Sequence, residues 1–198
     1  MADSLFLNPM KFSFAIIFVL SLMFFSCNSQ KPTNYAGKGK YFDILTYVRE
    51  DLANNIRNNC GEEKTVYLNG RHETRKIDTV NWEDELEPLL NCDINYPAWD
   101  GKFFVDSAAT KFANPGTMQY FYRSIDKKIP ITSMTVNKDS IGRVINVVIQ
   151  KSVKSFLFSH RQSIEYIPKR GYSLRSEQKT NLFNSVSVNV DIKYNCKE

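Results

Sequence analysis

Apolar and polar residues alternate along most of the chain beyond residue 101, which predicts β-strands that each bury one face. The alternation is clearest in the last segment, 185–194, where Val, Ile or Tyr takes every second position. Short polar links separate the segments, and none is long enough for a crossover helix, so the pattern predicts an antiparallel meander of about six to eight strands that could curve strongly. The predicted strands are 102–107, 118–124, 131–137, 144–151, 156–167, 172–175 and 185–194.

The segment before these strands has helical spacing instead. It predicts one long amphipathic N-terminal helix, with Asp43 as its candidate N-cap. Polar residues, Asp51 and Asn55 among them, fall on the opposite side, which we expect to meet water. The predicted buried stripe consists of Tyr41, Leu45, Val48, Leu52 and Ile56.

Two further elements complete an α+β domain. Asn69-Gly70 between two polar segments, 64–68 and 71–77, predicts a β-hairpin that is exposed or lies at a sheet edge. Trp82 to Leu90 predicts a second, short helix whose regularity Pro88 limits. The prediction is therefore a single domain over 41–198, in which both helices pack on the sheet.

The N-terminus has the pattern of an export signal. Lys11 precedes fifteen mostly apolar residues that end at Cys27, and polar residues follow directly. Spanning a membrane takes about 20 apolar residues, so an uncleaved anchor is the alternative rather than the first interpretation. We predict a signal peptide over 1–26, with Met10 as a candidate true start, and a flexible tether over 27–40.

Phe24-Phe25-Ser26-Cys27 resembles the lipobox of Bacteroidetes-type bacterial lipoproteins. Phe24 stands where the usual box has Leu. The resemblance implies cleavage before Cys27, lipidation of its thiol and a membrane partner reached through that lipid. Asn28-Ser29-Gln30-Lys31 contains no acidic residue, so the expected location is the outer membrane, facing the periplasm. The resemblance implies no molecular activity.

Charge and motifs exclude several classes of function. The chain has 26 basic and 21 acidic residues, a net charge of +5 that is scattered rather than clustered, so we expect no nucleic-acid partner. His72 and His160 are the only histidines and lack metal-ligand spacing. Phosphate-binding loops and nucleophile elbows are missing as well. We therefore predict no metal site, no cofactor and no identifiable catalytic residue.

Cysteines and hydroxyl residues give the remaining candidate sites. The mature chain keeps Cys60, Cys92 and Cys196, which allow one disulfide in an oxidising compartment. Cys60 and Cys92 each follow a predicted helix, so this pair is preferred. Three Asp-Ser or Asp-Thr pairs, each followed by an apolar residue, resemble the O-glycan acceptor motif of exported Bacteroidetes proteins, although such pairs also occur as ordinary turns. The candidate acceptors are Thr79, Ser107 and Ser140.

Two functions compete at this stage. The first is a non-enzymatic binding or scaffold module of the cell envelope, with a lipocalin-like apolar cavity or a glycan site. The second is a hydrolase that acts on an envelope glycan or another polymer through carboxylates that the sequence does not place. The lack of nucleophile and metal motifs favours the first. Two facing carboxylates in a polar groove would favour the second.

Lipidation predicts a simple outcome for Cys27→Ser. The variant should keep its signal or appear without acyl chains, because the acceptor thiol is gone. Intact-mass measurement and membrane fractionation of the expressed chain check this. A variant with the wild-type mass that still partitions with membranes would refute the lipoprotein interpretation.

Overall fold

A computed structural model describes residues 39–68, 70–109, 116–180 and 185–196. The predicted signal, Cys27 and most of the tether lie outside these ranges. The described residues form one nine-stranded sheet in which all neighbouring strands are antiparallel. The strands are β1 (Gly61–Leu68), β2 (Arg71–Ile77), β3 (Phe103–Ala109), β4 (Met118–Ser124), β5 (Ile131–Lys138), β6 (Val144–Lys154), β7 (Phe158–Ile167), β8 (Gly171–Thr180) and β9 (Val186–Asn195).

The strand order is β2-β1-β9-β8-β7-β6-β5-β4-β3. From β3 to β9 each strand pairs with the next along the chain, which confirms the predicted antiparallel meander. The polar hairpin β1–β2 joins the same sheet through β1 and β9, so nine strands replace the six to eight that were predicted. β2 and β3 lie at opposite edges and the sheet is not closed. The lipocalin-like architecture that the sequence suggested requires a closed barrel and is therefore wrong.

The N-terminal helix, α1, runs from Ile44 to Arg57. Asp43 is its N-cap, as predicted, and Oδ1 accepts a hydrogen bond from the Thr46 N–H at 3.0 Å. The predicted buried stripe is confirmed at Tyr41 and Val48 but is wrong towards the end of the helix. Ile56 is 58% exposed and Leu52 is only partly buried, because the helix is turned so that Asp51 reaches Tyr166 in the sheet. The residues of α1 that are buried are Ile44, Val48, Asp51 and Asn55.

Two four-residue helices replace the single short helix predicted for 82–90. α2 (Trp82–Glu85) and α3 (Glu87–Leu90) meet at Leu86, and Pro88 lies in the first turn of α3, where its missing N–H costs no hydrogen bond. Trp82, Leu86 and Leu89 enter the core between the helices and the sheet. Among the helices within the described ranges, none is both long enough and apolar enough to span a membrane.

The disulfide joins Cys60 to Cys196, so the preferred pairing of Cys60 with Cys92 is wrong. The sheet register gives the reason. Gly61 pairs with Asn195 across β1 and β9. Cys60 precedes Gly61 and Cys196 follows Asn195, so the two cysteines stand opposite each other at the next position of the antiparallel register. Cys92 is a buried free thiol that donates to the Pro88 carbonyl at 3.1 Å.

The rotation of α1 predicts unequal costs for two isoleucines. Ile44 is fully buried, so Ile44→Ala should lower the free energy of unfolding by about 2–5 kcal/mol. Ile56→Ala removes the same atoms from an exposed position and should change it by no more than about 0.5 kcal/mol. Chemical denaturation of both variants measures the difference. A larger loss for Ile56→Ala than for Ile44→Ala would mean that the helix is oriented as the sequence predicted.

Candidate functional site

The two faces of the sheet have different environments. The helices cover the face that carries Glu62, Tyr172 and Tyr194, where the Trp82 ring packs edge-on against Tyr194 with ring centroids 5.0 Å apart. Neighbouring residues such as Glu63 point to the opposite face, because side chains alternate along a strand. We call this second surface the open face.

A cleft of about 540 Å³ lies at the β1, β7, β8 and β9 end of the open face. Its volume is in the range that small-molecule sites occupy. The β7–β8 turn borders it, and its lining combines charged and hydroxyl side chains with exposed apolar surface. Its lining residues are Glu63, Thr65, Tyr67, Glu165, Ile167, Lys169, Arg170, Gly171, Tyr172, Ser173, Asp191, Ile192, Lys193 and Tyr194.

Charges of both signs line the cleft in equal number. The carboxylates belong to three strands, and the cations come from β9 and from the β7–β8 turn. Across β1 and β9, Glu63 pairs with Lys193 in the register, and Thr65 pairs with Asp191. Among the described residues, the Lys and Arg side chains of the cleft form no salt bridge with a carboxylate. The three carboxylates are Glu63, Glu165 and Asp191, and the three cations are Lys169, Arg170 and Lys193.

Gly171 begins β8 at the cleft with φ +133°. A Cβ at this position would collide with the carbonyl oxygen of Ile192 on β9. The close approach of the two backbones therefore requires glycine, whose missing side chain also leaves the cleft floor unfilled. In the sequence this residue falls in the link between the predicted strands 156–167 and 172–175.

Asp51 holds the turn that borders the cleft. Its Oδ2 accepts hydrogen bonds from the Tyr166 hydroxyl at 2.7 Å and from the Lys169 N–H at 2.8 Å. Lys169 has φ +63°, the left-handed region that non-glycine residues seldom adopt. Burial, followed by the Asp51 charge, raises the pKa of Tyr166. The hydroxyl therefore stays protonated as a donor, and the buried helix face fixes the backbone that carries Lys169 and Arg170.

A second polar cluster lies beneath the helices next to this anchor. The Lys64 ammonium donates to both Glu85 carboxylate oxygens, at 2.8 and 2.9 Å. The Tyr172 hydroxyl lies 2.7 Å from the Glu85 carbonyl oxygen and 3.0 Å from its Oε1. Glu85 is thus a satisfied ion-pair partner. Its side chain is 13% exposed, so it is not open to a substrate.

Glu62 is different, because it is only 2% exposed and neither carboxylate oxygen has a hydrogen-bond partner in the described structure. Burial, and then the nearby Glu85 charge, raise the pKa of Glu62 to about 7, although Lys64 opposes the shift. Asn55 Nδ2 and the Tyr194 hydroxyl are buried and unpaired in the same way. Glu62 and Tyr194 lie directly opposite each other on β1 and β9. This cluster is a pH-sensitive part of the core rather than a site that a substrate can enter.

A row of side-chain hydrogen bonds crosses the open face and ends at the cleft. Gln119 donates to Asn137 at 3.0 Å, Asn137 donates to Asn146 at 2.6 Å, and Asn146 donates to the Glu165 carboxylate at 2.9 Å. All three bonds run in one direction across β4, β5, β6 and β7. Each amide uses only part of its capacity, so free donors and acceptors remain along the row.

The residues that the sequence singled out lie elsewhere. Thr79 follows β2, Ser107 is in the edge strand β3, and Ser140 is in the turn between β5 and β6. All three are exposed, and the fold does not bring them together. Cys27 lies outside the described residues. Within the described ranges, no group of three or more His, Cys, Asp or Glu side chains is arranged to hold a metal ion.

Sequence reasoning missed the cleft because its residues come from both ends of the domain. The strict alternation of the last strand did place Asp191 and Lys193 on one side, away from Ile192. That signal identifies an outward face but not its neighbours. Only the pairing of β9 with β1 and β8 brings Thr65 and Ser173 to Asp191.

The raised pKa of Glu62 predicts a pH-dependent stability. The folded carboxyl has a pKa near 7, above the ordinary value of 4.5, so folding favours its protonated form. Its contribution is complete below about pH 4.5 and is lost as the pH rises through 7. Glu62→Gln should not show this loss. The free energy of unfolding of the variant should therefore rise relative to that of wild type by up to about 3 kcal/mol as the pH goes from 4 to 8.

Denaturant unfolding across that pH range measures the effect, and Glu63→Gln is the matched control on the open face. The control should follow the wild-type pH profile. Parallel profiles for Glu62→Gln and wild type would show that the Glu62 pKa is not raised.

Comparison with known proteins adds no assignment to this geometry. No protein-family model matches the sequence, and no curated protein or solved structure gives a significant match. Function must therefore be inferred from the chemistry of the cleft itself.

Proposed function

We propose that this domain is a non-enzymatic binding module that holds a neutral glycan in the cleft. The observation that carries the proposal is the balance of three carboxylates and three cations around one cavity of about 540 Å³. A ligand with many hydroxyl groups can donate to the carboxylates and accept from the cations at the same time. Such bonds to charged groups are among the stronger hydrogen bonds in proteins.

The same balance disfavours other ligands. An apolar ligand would cover charged groups without giving them partners, which is costly. A ligand with charge of one sign would meet an equal number of like charges. Tyr67, which is 41% exposed at the cleft, adds a ring that can lie against the apolar face of a sugar while its hydroxyl remains in water. These features support a neutral and polyhydroxylated ligand.

In this proposal, lipidation at Cys27 determines where the binding module is located. A lipidated Cys27 and the tether that follows it would hold the domain near the outer membrane. Several acyl chains on one residue give stable attachment, whereas a single chain is marginal. The sequence predicts a flexible tether, and thirteen such residues would have a root-mean-square span of about 20 Å, which would let the domain reach the surrounding envelope polymers.

One observation favours a hydrolase as the second candidate. Asp191, Ser173 and Glu165 lie in one row across β9, β8 and β7. Two strand spacings separate the carboxylate-bearing positions, about 9.5 Å. Inverting glycoside hydrolases hold their two carboxyl groups about 6.5–9.5 Å apart. The row therefore has the spacing that a hydrolytic alternative needs, although binding requires only one of its carboxylates.

Asp191→Asn tests the binding proposal. The substitution keeps the shape of the side chain but removes the charged acceptor, so the Kd for a neutral oligosaccharide should rise about tenfold. Asp106→Asn makes the same chemical change on the edge strand β3, away from the cleft, and should alter the Kd less than about twofold. Titration calorimetry with neutral glycans identified by an array screen gives both values.

Product analysis by mass spectrometry in the same samples distinguishes the two candidates. Unchanged glycan supports a binding module. Cleavage that Asp191→Asn abolishes would replace that conclusion with the hydrolase. If no neutral glycan binds, or if both variants bind equally well, the cleft is not the site.

A further inference from the structure

The β6–β7 hairpin ends in three consecutive apolar residues, Phe156, Leu157 and Phe158, which we call the apolar tip. Their exposed fractions are 89%, 63% and 38%. The turn is closed by three hydrogen bonds between Ser155 and the Phe158 backbone, with the Ser155 N–H donating to the Phe158 carbonyl at 2.8 Å. Adjacent large apolar side chains that an ordered turn holds in water mark an interaction surface.

The apolar tip extends beyond the neighbouring strand. The last register pair between β5 and β6 is Ile131 with Lys151, whereas β6 stays paired with β7 as far as Lys154 and Ser159. The hairpin therefore continues for three residues, about 10 Å, past its β5 neighbour. On its other side β8 stays paired with β7 as far as Thr180 and Phe158, so the tip is uncovered on the β5 side and lies at the end of the sheet.

Exposed cations lie around the same end of the sheet. Lys154 closes β6 at the tip, and the β4–β5 turn contributes Lys127 and Lys128. The Ser152 N–H donates to the Pro130 carbonyl at 2.8 Å, which holds that turn beside the hairpin. Within the described ranges, none of these three lysines forms a salt bridge.

The acidic groups nearest to the tip are already paired. Asp126 lies 3.6 Å from the Lys102 ammonium, and Glu177 lies 3.1 Å from that of Lys179. The surroundings of the apolar tip therefore carry a net positive charge. An apolar tip with lysines beside it complements a lipid bilayer, which is apolar in its interior and can be anionic at its surface.

We infer that the apolar tip inserts into an anionic lipid bilayer while Lys127, Lys128 and Lys154 contact the headgroups. A second copy of the chain is a poorer occupant. With their exposed fractions the three side chains supply about 400 Å², and a stable protein interface needs about 800 Å² from each partner. This surface is at the β6–β7 end of the sheet and does not depend on the proposed glycan site.

Depth-dependent quenching tests the insertion in the full-length chain. Leu157→Trp places a fluorophore at the tip, and Ile141→Trp places one at a residue that is 72% exposed in the opposite turn, between β5 and β6. Wild type gives the background of Trp82 and Trp99. With vesicles of brominated phosphatidylcholine and phosphatidylglycerol, the additional fluorescence at position 157 should be quenched, and that at position 141 should not.

Lys127→Glu and Lys128→Glu in the Leu157→Trp background should abolish the quenching, as should vesicles of phosphatidylcholine alone. The comparison of quenching at positions 157 and 141 holds whether or not Cys27 anchors the chain, because an N-terminal anchor alone does not insert one particular turn of the sheet into the bilayer. Equal quenching at positions 157 and 141, or none at 157, would overturn the inference. A blue shift of Leu157→Trp that depends on protein concentration without vesicles would assign the tip to a second copy and would also overturn it.

Discussion

Asp51 lies on the buried side of α1, and its carboxylate accepts hydrogen bonds from Tyr166 on β7 and from the backbone of Lys169. A buried carboxyl group in this position is tolerated only because both donors are present. The two bonds join three parts of the molecule: the helix, the centre of the sheet and the β7–β8 turn. They hold Lys169 in a left-handed conformation and place the turn against the cleft. The orientation of the helix and the shape of the candidate site thus depend on one side chain.

The same interaction also relates to how polar groups are distributed between the two faces of the sheet. One sheet face carries an apolar core with a few buried polar groups, among them the unpartnered Glu62. The other carries an amide row and the cleft, and Glu165 belongs to both. Burial on the helix side supplies the stability, which leaves the open face able to keep hydrogen-bonding groups that are not fully satisfied. A binding surface requires such unsatisfied groups.

Alternation along the strands predicted most of the sheet but little of the site. Strands with apolar residues at every second position were recognised from the sequence, whereas the second half of β8, from Ser176 to Thr180, has no apolar residue and was missed. The face of α1 was assigned wrongly, since Asp51 and Asn55 resemble surface residues until Tyr166 is known to lie beneath the helix. The Cys60–Cys196 bond could not be chosen from the sequence for a related reason. It depends on the register between the first and last strands, which no local pattern contains.

The position of β9 between β1 and β8 has a consequence for the order of assembly. β9 is synthesised after the other eight described strands, yet it is the strand that links the hairpin β1–β2 to the rest of the sheet. β1 and β2 are made early, yet β1 has only β2 to pair with until some 120 further residues have emerged, and an isolated two-stranded hairpin is marginally stable in water. Long-range pairing of this kind forms slowly. The domain therefore remains incompletely folded until β9, the strand that joins its two parts, has been synthesised.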